Sequence, residues 1–386
     1  VRLVHLSDLH LGFRQYQRLT PAGINQREAD VAATFKTAID KTIHLEPDLV
    51  LIAGDLFHTV RPSNPAILHA FMQFSRLKKA LPRTEIILIA GNHDLPRASE
   101  TGCILGLFRQ LGLHVVDSEA RRVDLADRGV SILAVPDLPG PLPALVGNPS
   151  ARYNILVLHG VIPGLLPDWF TASDRARTEV SIEELTKADW DYVALGHYHV
   201  YQRVKKNVFY SGAIDYTSAS PWGELYVEAK AKIPGKGLVE HDLDSGRHVF
   251  HRLPAARKHI DLEVPAYALA PAEIDRQIAA LLSKVDLDGN IVRVVLQDVQ
   301  RHVVRELNHA ALREYQRRAL HFQIDARRPD IQRASVSGAT GKRLSLAEIV
   351  REKLRTREIE ADLDREALVT LGLGYLKDAE AIEVPE

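Results

Sequence analysis

The sequence predicts an α/β protein built from two packed β-sheets flanked by helices, with a smaller α/β domain and a helical C-terminal tail. Three observations predict it. Uninterrupted apolar runs at residues 49–53 and 86–90 alternate with segments of helical periodicity, the pattern of a parallel sheet with crossover helices. From Val208 onward the chain changes to short strands separated by turns, the pattern of antiparallel pairing. Several apolar runs also end directly in clusters of Asp, Asn and His, where an open α/β sheet presents its ligand crevice.

Residues 1–257 form the first predicted domain. Residues 3–6 are a short strand running into Ser7-Asp8-Leu9-His10, and a polar loop follows through Gly12, Pro21 and Gly23 to Asn25. Val31, Phe35, Ala38 and Ile39 fall at helical spacing and predict a helix from Glu28. The strand over 49–53 ends in Gly54-Asp55-Leu56-Phe57-His58, a helix spans 64–80, and the strand from Ile86 ends in Gly91-Asn92-His93-Asp94. Residues 131–135 and 154–158 are strands, the second leading into His159-Gly160. Ser181-Ile182-Glu183-Glu184 is a capping box, and the strand over 192–195 ends in Gly196-His197-Tyr198-His199. Residues 208–211, 225–229, 239–243 and 248–253 predict the antiparallel strands.

A boundary at residues 254–258 opens the second domain, 258–328. It reads as strand 259–264, helix 271–284, strand 291–299, helix 309–319 and strand 321–326. Residues 329–344 are rich in Ser, Gly, Ala and Thr and predict a linker. The stretch from Gly338 to Arg343 is no P-loop, because Arg343 stands where Ser or Thr would be needed. The tail, 345–386, begins with a capping box at Ser345-Leu346-Ala347-Glu348 and an apolar stripe of Leu346, Ile349, Val350 and Leu354. A second short helix is predicted from Asp364 to Gly372. This hairpin either packs on its own chain or docks on another protein.

Composition narrows the function classes. The 386 residues are 46% hydrophobic and 26% charged, which allows a sizeable core and two or three domains. The formal net charge of −1 supplies no global field for nucleic acid, so any such binding needs local basic patches or metal ions. A single cysteine, Cys103, excludes an internal disulfide and Cys-based zinc sites, and suits a reducing cytosol. No segment reaches an uninterrupted membrane-spanning length, and polar Ser7, Asp8 and His10 leave no room for a signal peptide. A cytoplasmic location is the expectation.

The polar clusters carry the chemistry. Five follow apolar strands directly: Asp8-x-His10, Asp55-x-x-His58, Asn92-His93, His159 and His197-x-His199. Of 17 histidines, six lie in these clusters; the other eleven, such as His69, His114 and His302, read as structural. A mixed set of carboxylates, an amide and imidazoles suits Mn²⁺, Fe²⁺ or Zn²⁺ better than Ca²⁺, and it exceeds one tetrahedral site. Two ions sharing a carboxylate are therefore expected, with a residual positive charge that favours phosphate esters. No His-Glu-x-x-His and no Gly-x-Ser-x-Gly is present, which removes the common zinc-protease and serine-hydrolase patterns.

These elements, in this order, resemble the calcineurin-like metallophosphoesterases over roughly the first 215 residues. Ser7-Asp8-Leu9-His10-Leu11-Gly12 and Gly54-Asp55-Leu56-Phe57-His58 are similar to the SbcD nuclease branch, the bacterial counterpart of the meiotic-recombination nuclease of double-strand break repair. The resemblance implies the metallophosphoesterase sandwich, a capping domain at 258–328 that binds DNA, and a partner-binding tail. It implies that Asp8, His10 and His199 hold one metal, that Asn92, His159 and His197 complete a second, and that Asp55 bridges them. It implies a proton-donating His93, a second catalytic histidine at His58, and Asp94 as the support of a neighbouring imidazole.

The implied activity is a two-metal, manganese-dependent DNA phosphodiesterase: an exonuclease on duplex ends and an endonuclease on single strands. The implied partners are DNA ends, an SbcC-type coiled-coil SMC-like ATPase bound through the C-terminal helices, and a second copy in a homodimer, with a nucleoid-associated location. DNA-binding candidates are Arg313, Arg317 and Arg318 in the second domain and Lys205 and Lys206 in the first; pairing with Glu306, Glu314 and Asp325 is the competing reading. Two other functions fit the residues: a small-molecule phosphodiesterase or pyrophosphatase, and a non-catalytic DNA-end tether.

Overall fold

The structure, a computed structural model, describes residues 1–96, 102–167, 176–329, 346–356 and 364–382. The first sheet is built from β1 (Arg2–Leu6), β2 (Leu49–Ala53), β3 (Glu85–Ile89) and β4 (His114–Val116), all parallel. The helices α1 (Gln26–Leu45) and α2 (Asn64–Ala80) cross between its first three strands. Asn25 caps α1 by accepting from the N–H groups of Arg27 and Glu28, and Ser63 caps α2.

The second sheet contains β5 (Arg121–Leu125), β6 (Val130–Val135), β7 (Tyr153–His159), β8 (Tyr192–Gly196), β9 (Gln202–Arg203) and β10 (Val208–Tyr210). The capping box predicted at Ser181 opens α3 (Ile182–Thr186). Next come α4 (Pro221–Ala231), β11 (Gly237–Asp242) and β12 (His248–Arg252); β11 joins the first sheet antiparallel to β1, and β12 pairs antiparallel with β11 at its edge. Strand orders are β12-β11-β1-β2-β3-β4 and β5-β6-β7-β8-β10-β9.

The two sheets pack face to face, and helices cover their outer faces. Leu3, Leu49, Leu51, Ile87 and Ile89 meet Ile132, Ile155, Val157, Tyr192 and Phe209 between the sheets. On the other face of the first sheet, Val4, Val50, Ile52 and Leu88 pack against Val31, Phe35 and Ile39 of α1 and Phe74 and Leu77 of α2. Each such fully buried side chain contributes about 1.5–3 kcal/mol. Burial on both faces explains why β2 and β3 read as unbroken apolar runs.

A third, smaller sheet of parallel strands β13 (His259–Pro265), β14 (Ile291–Gln297) and β15 (His321–Ala326) follows. Its helices are α5 (Pro271–Leu282), α6 (Arg301–Arg305) and α7 (His309–Arg318), around a separate apolar core. Residues 1–328 make one compact unit. Within it, Trp222 of α4 packs with Ile291 and Leu320, Tyr16 stacks on His321 at 4.0 Å, and Arg257 binds Asp30 at 3.2 Å. The second unit holds the paired helices α8 (Leu346–Thr356) and α9 (Arg365–Ile382). Of the expected linker over 329–344, residues 330–344 lie outside the described residues, as does the Ser345 capping position.

Three expectations are corrected. Residues 225–229 belong to α4, not to a strand, because the buried face of this helix carries Glu224 and Glu228 one turn apart, both held by Lys236. A charged inner face defeats apolar periodicity as a signal. Strand β10 runs parallel to β8, since the chain first turns back through the two-residue β9. Helix α9 continues past Gly372, where a Cβ would stand 2.6 Å from Leu354 Cδ1. Gly372 permits close helix packing and does not end the helix.

A cluster of histidines also sits between the sheets. His5 is fully buried, pairs with Tyr192 Oη at 3.1 Å, and is pushed down to about 3 by burial and then by His248. His248 stacks on Phe209 with centroids 3.9 Å apart. Unfolding frees His5 to bind a proton near its ordinary value of about 6.5, so its contribution to stability is complete above that pH and declines below it. The stability of His5→Gln relative to the wild type therefore rises as pH falls from about 6.5 to 4, approaching about 1.4 kcal/mol per pH unit. Urea melts of both proteins at matched pH check this; a constant difference would refute it.

Candidate metal centre

The five strand-end clusters converge where the carboxyl ends of β1, β2 and β3 meet those of β7 and β8. The turns interlock through the backbone: Asp8 N–H donates to Gly54 O at 3.1 Å and His10 N–H to Asp55 O at 3.0 Å. Asp8, His10, Asp55 and His197 all have positive φ, at 53°, 46°, 53° and 110°. Non-glycine residues occupy this region at a cost of order 1–3 kcal/mol, and such strain concentrates at functional sites. Two glycines are dictated by approach. A Cβ on Gly196 would lie 1.8 Å from Ala53 O, and one on Gly91 would lie 2.1 Å from Asp55 Oδ1.

Among the described residues, three groups bring ligand atoms within 4.8 Å of one another: Asp8, His10 and His199; Asp8, Asp55 and His159; His10, His58 and His93. Asp55 Oδ2 stands between the first two, 3.7 Å from His10 Nε2 and 3.5 Å from His159 Nε2. Asn92 Oδ1 lies 2.9 Å from His159 Nε2 and 3.3 Å from His197 Nδ1. His10 Nε2 and His199 Nε2 approach to 2.9 Å. All seven residues expected to hold metal are thus brought together.

The donor set fits divalent cations. Asp55 Oδ2 is buried and has no hydrogen-bond partner, a costly state for a carboxylate unless a cation shares it. His159 Nδ1 faces Ala53 O at 2.8 Å. A carbonyl only accepts, so Nδ1 carries the hydrogen and the Nε2 lone pair points into the cluster. Burial pushes the Asp55 carboxyl up to about 7; His159 and His93 oppose this, while Asp94 and Asp8 reinforce it. For His159, burial disfavours the charged form, but Asp55, Asp8 and Asp137 outweigh it and raise its pKa. His10 is held well below its ordinary value by burial and by His199, His93 and His58.

The neighbouring residues divide by role. His93 N–H donates to Asp55 Oδ1 at 2.9 Å, and its Nδ1 donates to His58 O at 2.8 Å, which leaves Nε2 as the nitrogen that can deliver a proton. The His58 ring stacks near His93 at 5.2 Å, and its Nδ1 lies 3.3 Å from His10 Nδ1. Asp94, expected to support an imidazole, instead accepts the backbone N–H groups of Leu56, Phe57 and Gly91 at 2.9–3.2 Å. It clamps the turn after β2 to the turn after β3, because three convergent backbone donors satisfy a buried carboxylate.

The basic candidates lie elsewhere. Arg313, Arg317 and Arg318 are exposed on α7, and Lys205 and Lys206 are exposed between β9 and β10. Arg317 pairs with Glu314, and Arg318 pairs with Asp288 at 2.7 Å. Sequence reasoning passed over Asp137, whose Oδ1 accepts from the N–H groups of Arg177 and Thr178 at 2.7 Å each. It too follows an apolar strand, so the signal was available. Glu224 and Lys236, buried behind His199, offered no such signal.

Comparison with known proteins places these residues in context. Residues 1–217 match the family described as calcineurin-like phosphoesterase. The chain is 30% identical to the DNA double-strand break repair protein Mre11 of Methanococcus maripaludis, over 63% of this chain and 63% of that protein. It is 28% identical to the protein of the same name from Methanosarcina mazei, over 89% of this chain and 60% of the other. A third, from Sulfolobus acidocaldarius, is 30% identical over 57% of this chain and 54% of its own length. The aligned parts thus span between 54% and 63% of these relatives.

Proposed function

The chain belongs to the calcineurin-like phosphoesterase family, and from that premise we propose that it is a metal-dependent DNA phosphodiesterase of double-strand break repair. The observation that carries the reading is the convergence of seven oxygen and nitrogen donors at five strand ends, with His93 beside them. The choice of DNA over a small phosphate ester rests on likeness beyond the phosphoesterase region. Alignment with the Methanosarcina mazei repair protein covers 89% of this chain, although the family match ends at residue 217.

In this reading Asp8, His10 and His199 would hold one divalent ion, Asn92, His159 and His197 would complete a second, and Asp55 would be shared between them; Mn²⁺ is the proposed ion. Bound ions would lower the pKa of water and neutralise charge on a phosphodiester. The chain supplies the rest. His159 is oriented by Ala53 O, Asp94 holds the two central turns together, and His93 Nε2 delivers a proton to the departing 3′ oxygen. His58 presents its backbone carbonyl to His93 and stacks its ring against it, and it would act as the second catalytic histidine near the phosphate.

Duplex-end exonuclease and single-strand endonuclease activity belong to the proposal, as does the capping role of residues 258–328. Arg313, Arg317, Arg318, Lys205 and Lys206 would contact the backbone of DNA, exchanging exposed ion pairs for phosphates. The helical unit presents exposed Ile349, Leu371 and Tyr375, which supports docking of an SbcC-type coiled-coil ATPase. Exposed Leu68 and Met72, one turn apart on α2, support a homodimer. Among the described residues no helix is long and apolar enough to cross a membrane.

The test is digestion of end-labelled duplex and of single-stranded DNA by metal-free protein reloaded with Mn²⁺. Shortening of the duplex that is abolished by a chelator is expected. Hydrolysis of small phosphodiesters alone would shift the reading to a small-molecule enzyme, and tight duplex binding without turnover by the metal-loaded protein would shift it to a tether.

A further inference from the structure

We propose that Glu224 of α4 is the positioning residue for His199, fixing the tautomer and angle with which this imidazole meets the metal. The inference rests on the phosphoesterase reading of the site. Both residues with which it extends the site, Glu224 and Lys236, lie beyond the region that matches the family.

The two nitrogens of His199 face opposite ways. Nε2 points at the cluster, 2.9 Å from His10 Nε2, while Nδ1 lies 3.5 Å from Glu224 Oε1. A neutral imidazole has one lone pair to give, so a ligating Nε2 requires the hydrogen on Nδ1 and an acceptor to receive it. Glu224 Oε1 is placed to be such an acceptor: it is buried, faces His199 Nδ1 and has no hydrogen-bond partner. The opposite oxygen is fully committed, since Lys236 Nζ donates to Oε2. The same ammonium donates to His199 O at 2.7 Å, so one cation holds both the backbone of the ligand and the carboxylate behind its ring.

Charge counting points the same way. Lys236 also meets Glu228 Oε1 at 2.8 Å, and Tyr216 Oη donates to Glu228 Oε2 at 2.6 Å. Two carboxylates share one ammonium, and all three side chains are at most 5% exposed. The cluster therefore carries one excess negative charge in a place where desolvation costs several kcal/mol per ion. Fold stability alone would be served as well by apolar side chains. An excess negative charge directly behind a ligand is favourable when a divalent cation lies in front of it. Helix α4 is held in place for this by Trp222, which packs on Ile291 and Leu320 under the Arg293 guanidinium.

The experiment is calorimetric titration of the full, metal-free chain with Mn²⁺, comparing the wild type with Glu224→Ala and Glu224→Gln, alongside metal-free melting temperatures. Loss of an outer-shell partner weakens metal binding about 10–100-fold. Glu224→Ala is expected to weaken one of two Mn²⁺ sites by that factor and leave the other unchanged. Glu224→Gln keeps the shape but not the charge, so it should fold even if the alanine variant does not, and should weaken the same site by a smaller factor. Unchanged Mn²⁺ affinity in either folded variant would overturn the proposal. Equal weakening of both sites, together with a lower metal-free melting temperature, would overturn it in favour of a structural role. A wild type that binds no Mn²⁺ would instead bring down the phosphoesterase reading itself, and this inference with it.

Discussion

A His93→Leu protein keeps its bound metal while its turnover on DNA falls by about 10²–10⁴-fold, the range that loss of a positioned proton donor costs. The reason is how the residue is held. Its backbone N–H donates to Asp55 Oδ1 and its Nδ1 to His58 O, so backbone and ring are both anchored by these two bonds. Leucine retains the backbone bond to Asp55 and so leaves that carboxylate in place. The alternative is concrete, since His93 also lies within reach of a group with His10 and His58. Metal content measured on the purified variant separates the two: two ions with little turnover supports the acid, and loss of an ion makes His93 a ligand.

Asp55→Asn is expected to abolish metal-dependent activity while leaving the metal-free fold as stable as the wild type or more so. In the metal-free protein this carboxylate is buried, its Oδ2 has no hydrogen-bond partner, and burial raises its pKa to about 7. An amide removes the charge yet retains an oxygen to accept from His93 N–H. With metal the balance reverses, because a proposed ligand charge is lost; the loss of affinity should exceed the ~100-fold that an outer-shell partner is worth. Melting temperatures with and without Mn²⁺ check this. The wild type gains stability on loading and Asp55→Asn does not; equal gains would remove Asp55 from the ligand set. The wild-type gain should also shrink as pH drops through about 7, where loading must displace a proton from Asp55; His159, whose pKa its carboxylate neighbours raise, adds in the same direction.

The donors were legible because each follows a strand directly in sequence. A strand buried on both faces leaves an unbroken apolar run, and the first polar residues beyond it must stand at the sheet's edge. Asp8, Asp55, Asn92, His159 and His197 could all be found this way without knowing which strands were neighbours. The resemblance then assigned roles that the residues themselves left open. Helix α4 was misread because its inner face is ionic, and apolar periodicity cannot register a helix that buries Glu224 and Glu228. The turn of the chain through β9 that makes β10 parallel to β8 likewise left no local mark.

By itself, the sequence determined the layered α/β architecture, the strand ends that carry the candidate metal donors, and the family. These depend on local order along the chain, where apolar runs and the residues that end them are written consecutively. Only the tertiary structure decided what each donor faces: that Asp55 Oδ2 lies between His10 and His159, that Asp94 clamps two turns, and that Glu224 stands behind His199. Those relations join residues 25 (Glu224 and His199) to 104 (Asp55 and His159) positions apart or clamp one turn to another. They are set by sheet pairing and by the burial of charge, neither of which has a period in the sequence.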